Sequence, residues 1–279
     1  MTFLRMIRLS RPRFWIYEFG TFMLGVLCGL RTLEDLSNPW VIFFGIFFLF
    51  PANLLIYGIN DIFDYETDRL NPKKTGYEDL LHPKLHSKVF TGIFISNIVF
   101  LISGFFIPLQ AFYSLLLFYF FAIFYSTPPI RAKARPFFDS LFSASHYVVT
   151  GVFGYFLVGG SGSIVLPVLG GLFWAIAMHA YSAVPDIEAD QKSGIKTSAI
   201  ALGKHRTIIL CGVLYTLAGI ALFPQLSFLG LLLVVPYLAL MYLSYGANEK
   251  KLFQLYTYFP ILNSLVGMIL FFTVLFTLL

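Results

Sequence analysis

The sequence predicts an all-α, polytopic membrane protein with nine transmembrane helices. Of its 279 residues, 58% are hydrophobic and only 12% are charged, and the mean hydropathy is +0.80. A soluble domain of this length has too little interior to bury so much apolar surface. Apolar stretches of the length that a membrane span needs, about 20 residues, recur along the whole chain. The placement of lysine and arginine is a third, independent indication.

The spans follow from hydropathy and from the residues that interrupt it. Residues 1–13 are basic and lead into the first span without a small-residue cleavage site, so we expect a retained helix and not a cleaved signal peptide. No separate soluble domain is expected. The limits of the nine spans are roughly 14–31, 40–60, 88–107, 109–126, 140–159, 164–184, 207–223, 226–245 and 256–278.

Three prolines punctuate this pattern. Pro108 separates the third and fourth spans and Pro224 the seventh and eighth, so each pair should form a tight helical hairpin. Pro185 should end the sixth span near one face of the membrane. The residues that follow it, Asp186 to Asp190, should then lie on a fresh turn or short helix.

Lysine and arginine are distributed unevenly between the two faces. If the N-terminus is cytoplasmic, eighteen of the nineteen fall on the cytoplasmic side and only Arg31 falls outside. Because cytoplasmic loops collect these residues, we expect a multi-pass protein of the cell membrane with a cytoplasmic N-terminus and an external C-terminus. The net charge of +5 then belongs to a membrane face, and no nucleic-acid partner is expected. Residues 61–87 and 186–206 form long cytoplasmic loops, typical of lids.

Acidic residues concentrate in two short windows, 60–68 and 186–190, which hold seven of the fourteen carboxylates. In a helix, Asn60, Asp64 and Asp68 share one stripe, and like charges at that spacing repel. Asp61 lies beside the stripe, where it either adds a metal ligand or faces a basic neighbour. A solvated loop edge is the plain alternative for both windows.

The second window repeats the spacing, with Asp186 and Asp190 on one helical face. Carboxylate and amide oxygens suit a hard divalent cation such as Mg²⁺, which also keeps water and a phosphate-bearing substrate in its shell. The two windows therefore predict a magnesium-bound diphosphate on the cytoplasmic face.

Cations near these windows are candidates for the diphosphate oxygens. Arg131 and Lys133 project from a loop that Pro128 and Pro129 stiffen. The alternative is that they only anchor a cytoplasmic face, and the same two interpretations apply to Arg69, Lys73, Lys74 and Lys196. His146 and His179 interrupt apolar segments, where a structural role is the simpler interpretation and a pocket position the other.

Ionisation of an allylic diphosphate is the chemistry that these parts suit. Metal and cations stabilise the leaving diphosphate, and a dry interior keeps water from the carbocation. The chain has 33 Phe, 16 Tyr and 3 Trp residues, whose ring faces tolerate a cation, although most of them must pack or meet lipid. A membrane-dissolved acceptor would then attack.

The motifs resemble the UbiA-type intramembrane prenyltransferases. Asn60, Asp61, Asp64 and Asp68 match the NDxxDxxxD window of that family, and Asp186 and Asp190 match its DxxxD window; the run 190–197 and the loop 125–133 are also similar. The resemblance covers essentially the whole chain and implies one domain, 1–279, with the helices bundled around a central cavity. It implies catalytic or metal roles for Asn60, Asp61, Asp64, Asp68, Asp186 and Asp190, and diphosphate binding by Asn60, Arg69, Tyr125, Arg131, Lys133 and Lys196.

Within that family, segments 10–15, 71–74 and 183–188 are most similar to the lycopene elongases, which add prenyl units to the ends of a carotenoid. This similarity implies dimethylallyl diphosphate as donor and lycopene as acceptor, followed by loss of a proton or capture of water. Other carotenoid-pathway enzymes are then expected partners.

Two alternatives remain. Prenylation of an aromatic, quinone-precursor or other lipid acceptor uses the same windows, although the spans offer no buried Arg or Lys for a ring carboxylate. A transporter would place ionisable groups near the bilayer midplane, whereas most acidic residues here lie at the cytoplasmic ends of spans.

Overall fold

The computed structural model describes residues 2–69 and 80–278, and within these ranges every regular element is helical and none is a strand. The predicted all-α class is confirmed. Lys73 and Lys74, with the whole of segment 71–74, lie outside the described residues, so their predicted role is not addressed. The α-helices are α1 (Phe3–Leu9), α2 (Trp15–Gly29), α3 (Pro39–Leu49), α4 (Pro51–Phe63), α5 (Tyr65–Asp68), α6 (His86–Ser103), α7 (Leu109–Ser126), α8 (Phe138–Leu157), α9 (Val165–Ala183), α10 (Ile187–Lys192), α11 (Ser198–Leu202), α12 (Lys204–Leu226), α13 (Phe228–Tyr245) and α14 (Glu249–Leu278).

Long apolar helices coincide with the predicted spans. In the described ranges, seven helical stretches are long and apolar enough to cross a membrane. The predicted first and fifth spans correspond to α2 and α8, which are not among the seven; α2 has only 15 residues, and α8 carries Asp139 and His146. The chain is a multi-pass helical membrane protein, and the count of nine stays a prediction.

The helices group into two compact units. The first comprises Met1–Arg131, Val149–Ser161 and Phe271–Leu279, and the second comprises Ala132–Val148 and Gly162–Leu270. The prediction of a single domain over 1–279 is not tested by this grouping.

The predicted second span is interrupted within the first unit. Helix α3 ends at Leu49 and α4 begins at Pro51, because proline has no N–H to continue the backbone ladder and its ring clashes with the preceding turn. The Asn53 side chain donates hydrogen bonds to the carbonyls of Phe48 (2.8 Å) and Leu49 (3.1 Å). Since no water reaches the centre of a bilayer, these bonds satisfy carbonyls that the break leaves open.

One close backbone approach and one helical hairpin shape the rest of the first unit. A Cβ at Gly25 would lie 1.9 Å from the carbonyl oxygen of Gly151, so α2 packs directly on the backbone of 149–157. Helices α6 and α7 form the predicted hairpin, with a single 3₁₀ turn, Gly104–Phe106, before Pro108. Buried phenylalanine rings from α2, α3, α7 and α8 form the core of this unit: Phe22, Phe44, Phe47, Phe48, Phe118 and Phe153.

The second unit is built around α12, which packs on both α9 and α13. The predicted tight hairpin of the seventh and eighth spans is confirmed, since α12 and α13 pack together, but its turn is displaced from Pro224. Pro224 lies inside α12, and the chain turns at Ser227, whose φ is 51°. Pro224 has no N–H to donate to the Ile220 carbonyl, yet the helix continues beyond it, and the Ser227 N–H donates to the Phe223 carbonyl.

The predicted break at Pro185 is confirmed. Helix α9 ends at Ala183, a 3₁₀ turn covers Val184–Asp186, and α10 begins at Ile187. The loop 186–206, whose length is typical of a lid, contains the two short helices α10 and α11 and ends in the first turn of α12.

Candidate active site

The first acidic window lies where α4 ends and α5 begins. Asp64 has a φ of −103° and a ψ of 2° and separates the two helices. Its N–H nevertheless donates to the Asn60 carbonyl at 2.9 Å, and its own carbonyl accepts the Asp68 N–H at 2.7 Å. The spacing of four residues is therefore kept across the break, and Asn60, Asp64 and Asp68 follow one another at helical intervals, as predicted.

Asp64 and Arg131 come together within the first unit. The Asp64 side chain is buried, and its Oδ1 lies 3.5 Å from Nη2 of Arg131, whose side chain is 39% exposed. A carboxylate in this position needs a nearby positive charge to offset the cost of burial. Arg131 supplies that charge, and its side chain stays partly exposed to an anionic ligand although its Nε is buried.

Asn60 is held by the end of α7. Its Nδ2 donates to the hydroxyl of Ser126 at 3.2 Å, which leaves the amide oxygen as the part suited to a metal ion. Tyr125, a predicted diphosphate ligand, precedes Ser126 and is half-buried. The prediction did not include Ser126, since a serine next to a tyrosine at a helix end carries no distinctive signal.

Asp61 faces a basic neighbour, which is one of the two roles considered from the sequence. It is 4% exposed, and its Oδ1 accepts a hydrogen bond from Nη2 of Arg11 at 2.9 Å. The same guanidinium lies over the Tyr57 ring, 4.7 Å from its centroid. Sequence reasoning placed Arg11 on the cytoplasmic face but missed this contact, because 50 residues separate the partners.

The two arginines that pair with buried aspartates of the first window have left-handed backbone conformations. Arg11 has a φ of 51° and Arg131 a φ of 43°, in the left-handed region that costs a non-glycine residue roughly 1–3 kcal/mol. Conformations of this kind persist where surrounding structure fixes them, and they concentrate at functional sites. Arg69, by contrast, is exposed and pairs with the exposed Glu66 at 3.1 Å.

The second window lies in the second unit. Asp186 ends the 3₁₀ turn, and Asp190 lies in α10 with partial burial. Glu188, between them, is exposed and pairs with Lys192 at 2.7 Å. Of the predicted cations in this unit, Lys133 is 7% exposed within the turn Ala132–Ala134, whereas Lys196 is exposed just before α11.

Two buried carboxylates were missed altogether. Asp139, at the start of α8, is 1% exposed and accepts hydrogen bonds from the N–H (2.8 Å) and the hydroxyl of Ser198. Glu18 in α2 is also 1% exposed and accepts a 2.8 Å hydrogen bond from Thr150. A carboxylate within an apolar segment was the available signal.

His146 and His179 belong to the second unit, where His179 interacts electrostatically with Asp139 and with His146. His146 is buried and His179 is half-buried. Their predicted choice between a structural and a pocket role stays open.

The chemistry of the first window fits a magnesium ion. In the described part of the chain, no three His, Cys, Asp or Glu side chains gather at one point. Mg²⁺ does not require such a cluster, because it is commonly held by one or two carboxylates together with substrate phosphates and water. Asp64, Asp68 and the Asn60 amide offer hard oxygen donors of this type.

Known proteins resemble the chain over nearly its full length. The lycopene elongase/hydratase of Halobacterium salinarum is 38% identical over 265 residues, which cover 94% of this chain and 93% of that protein. The lycopene elongase/hydratase of Haloferax volcanii is 36% identical over 270 residues, covering 94% and 85%.

A solved structure shares the fold. The UbiA homolog from Archaeoglobus fulgidus, in a structure with bound DMAPP and Mg²⁺, has a TM-score of 0.72 and 19% identity, and the match covers 96% of this chain and 98% of that one. Residues 19–257 match the UbiA prenyltransferase family. The chain therefore belongs to the UbiA prenyltransferase family.

Proposed function

We propose that this protein transfers the prenyl group of dimethylallyl diphosphate to lycopene, in a magnesium-dependent reaction within the membrane. The observation that carries the proposal is the buried Asp64 carboxylate beside the partly exposed Arg131 side chain, in a window that also holds Asn60 and Asp68. This combination suits a metal-bound diphosphate, and two relatives that match nearly the whole chain are lycopene elongase/hydratases.

Each group has a distinct task in this proposal. Mg²⁺, held by Asn60, Asp64, Asp68, Asp186 and Asp190, would stabilise charge on the leaving diphosphate. Arg131 would bind diphosphate oxygens with its open face, aided by Tyr125, Lys133, Lys196 and Arg69. Asp61 is assigned to Arg11, and through that pair it holds the first window in place.

The bond changes are those of an allylic transfer. The bond between the terminal carbon of the donor and its diphosphate oxygen breaks, and the oxygen keeps the electron pair. A terminal double bond of lycopene attacks the five-carbon cation and forms the new carbon–carbon bond. The tertiary cation that results loses a proton to give an elongated alkene, or captures water and then loses a proton to give an alcohol.

The distribution of cations in the helices favours an apolar acceptor. In the described long helices, every Lys and Arg lies in the first turn: Lys88, Lys204, Arg206, Lys250 and Lys251. A ring acid would require a positive partner for its carboxylate deeper in the membrane. Lycopene requires none, so we rank an aromatic or quinone-precursor acceptor second.

A lycopene-producing cell tests the proposal directly. We expect the wild-type protein to yield carotenoids heavier by one or two five-carbon units, with or without added water, and Asp64→Asn to yield none. Pigments are separated by chromatography and their masses are determined by mass spectrometry. Expression of both proteins in the membrane is verified. Unchanged lycopene in the presence of folded wild-type protein would contradict this acceptor and direct the search to ring or lipid acceptors.

A further inference from the structure

We propose that Asp139 is a positioning residue of the active site, which acts through Ser198 on the segment that carries Lys196. The inference rests on the proposed function, since Lys196 is assigned there to the donor diphosphate. No role for Asp139 or Ser198 follows from the acidic windows themselves.

Three hydrogen bonds form a closed clamp around Ser198. Its N–H donates to Oδ2 of Asp139 at 2.8 Å, and its hydroxyl donates to Oδ1 of the same carboxylate. The hydroxyl oxygen accepts the Phe137 N–H at 2.7 Å. Asp139 and Ser198 are 1% and 2% exposed, so water does not substitute for a lost partner, and the geometry of the clamp is fixed.

The clamp is one of two anchors for the segment 190–198. At the other end, the Ile195 N–H donates to the Asp190 carbonyl at 3.0 Å. Lys196 lies between the anchors and is exposed, so its side chain is free to meet a ligand while its backbone is held. The backbone is therefore held on both sides of Lys196, by the Asp190 carbonyl before it and by the clamp after it.

The Ser198 hydroxyl also contacts the segment that follows the buried Lys133. Phe137 has a φ of 70° and follows Lys133 by four residues, and the Asp139 N–H donates to the Arg135 carbonyl at 3.0 Å. Segment 132–137 therefore contacts the clamp through the Phe137 backbone N–H, while the Asp139 carboxylate holds Ser198 and with it the segment of Lys196. A lysine on a flexible stem loses less entropy on binding phosphate when its backbone is already fixed.

A purely structural role for Asp139 predicts a different result from a positioning role. Loss of a structural hydrogen bond lowers the stability of the folded protein but leaves affinity for diphosphate unchanged in the molecules that fold. Loss of positioning weakens diphosphate binding in the folded molecules, and that loss disappears once Lys196 is removed. The energetic coupling between Asp139 and Lys196 separates the two.

The experiment measures binding of dimethylallyl diphosphate with Mg²⁺ to the full-length protein in detergent by calorimetry. We expect Asp139→Asn and Ser198→Ala to weaken binding by about 10-fold, the effect of one hydrogen bond to a charged group. Ser193→Ala is the matched control, because its hydroxyl in the same segment bonds only to the Ala189 carbonyl. Ser198→Thr keeps the hydroxyl and should bind as the wild type does.

Double variants complete the test. With Lys196→Gln already present, Asp139→Asn should weaken binding no further. Additive losses in the double variant would overturn the positioning role and leave the proposed function standing. Unchanged affinity in both Asp139→Asn and Ser198→Ala would do the same. Wild-type protein that does not bind the donor would overturn the proposed function and this inference with it. If Asp139→Asn does not fold, the comparison of Ser198→Ala with Ser198→Thr, each with and without Lys196→Gln, decides the matter.

Discussion

Asp64 and Glu66 lie two residues apart in the first acidic window, yet their surroundings differ. Asp64 is buried beside Arg131, whereas Glu66 is 73% exposed and pairs with the exposed Arg69. We expect Asp64→Asn to lower prenyl transfer by roughly 100-fold or more, as loss of a charged group at a developing charge does. Glu66→Gln, which removes the same charge, should stay within about twofold, since exposed ion pairs contribute little.

Turnover per folded molecule in purified membranes gives the measurement. Equal losses in Asp64→Asn and Glu66→Gln would show that the charge of the window matters and not the position of Asp64. In that case the assignment of Asp64 to the metal and diphosphate would be wrong.

The pair of Arg11 and Asp61 permits a second test at the same scale. Asp61→Asn should reduce activity because a buried pair is broken, but it should leave the Mg²⁺ concentration for half-maximal activity unchanged. Arg11→Gln should have a similar effect, and the double variant should be no worse than either single variant. A Mg²⁺ titration of all three checks this, and a raised requirement in Asp61→Asn alone would instead make Asp61 a metal ligand.

The sequence indicates residue types and their spacing, but it does not indicate which side chains contact each other in the folded protein. The interval between Asn60, Asp64 and Asp68 is local and follows from helix geometry. The contact of Arg11 with Asp61 spans 50 residues, and that of Ser198 with Asp139 spans 59. Such contacts depend on how helices pack, which hydropathy does not specify.

The close packing of helix α2 on residues 149–157 can be tested by a single substitution. A Cβ at Gly25 would overlap the Gly151 carbonyl, so Gly25→Ala must push two backbones apart, at a cost of about 2 kcal/mol or more. Gly212 in α12 is the control, because nothing lies within 4 Å of its Cβ position. Gly212→Ala should be neutral or stabilising by up to about 1 kcal/mol, since alanine favours helix.

Thermal unfolding of the two variants in detergent, compared with the wild type, measures the difference. We expect a clearly lower transition temperature for Gly25→Ala only. A Gly25→Ala protein as stable as the wild type would mean that α2 does not pack on 149–157 at this distance.

The interruptions of helices show why boundaries were harder to predict than the helices themselves. Pro51 was visible in the sequence, but the apolar run 40–60 continues through it and suggested one span. The break at Phe50 is tolerated because Asn53 supplies hydrogen bonds to the exposed carbonyls. Pro224 had the opposite outcome, because the helix continues through it and the turn occurs three residues later, at Ser227.

For the molecule as a whole, the number and direction of membrane crossings are the main quantities to test. Helices α2 and α8 are the two that length and hydropathy leave in question, and each matters for topology. If both cross, the N-terminus and residues 131–137 are cytoplasmic, while residues 32–38 and 159–163 are external. This arrangement places both acidic windows and the cations assigned to diphosphate on the side that holds the soluble donor.

Cysteine labelling of intact cells distinguishes the arrangements. In a Cys28→Ser, Cys211→Ser background, we expect an impermeant maleimide to label Glu34→Cys and Ser161→Cys, and to label Thr2→Cys, Glu66→Cys and Arg135→Cys only after the membrane is opened. Labelling of both Arg135→Cys and Ser161→Cys from one side would mean that α8 does not cross, and the same result for Thr2→Cys and Glu34→Cys would remove α2. Either outcome alone would leave eight crossings, and both together would leave seven. Loss of α8 alone would put the two acidic windows on opposite faces, and a single diphosphate could then not engage both.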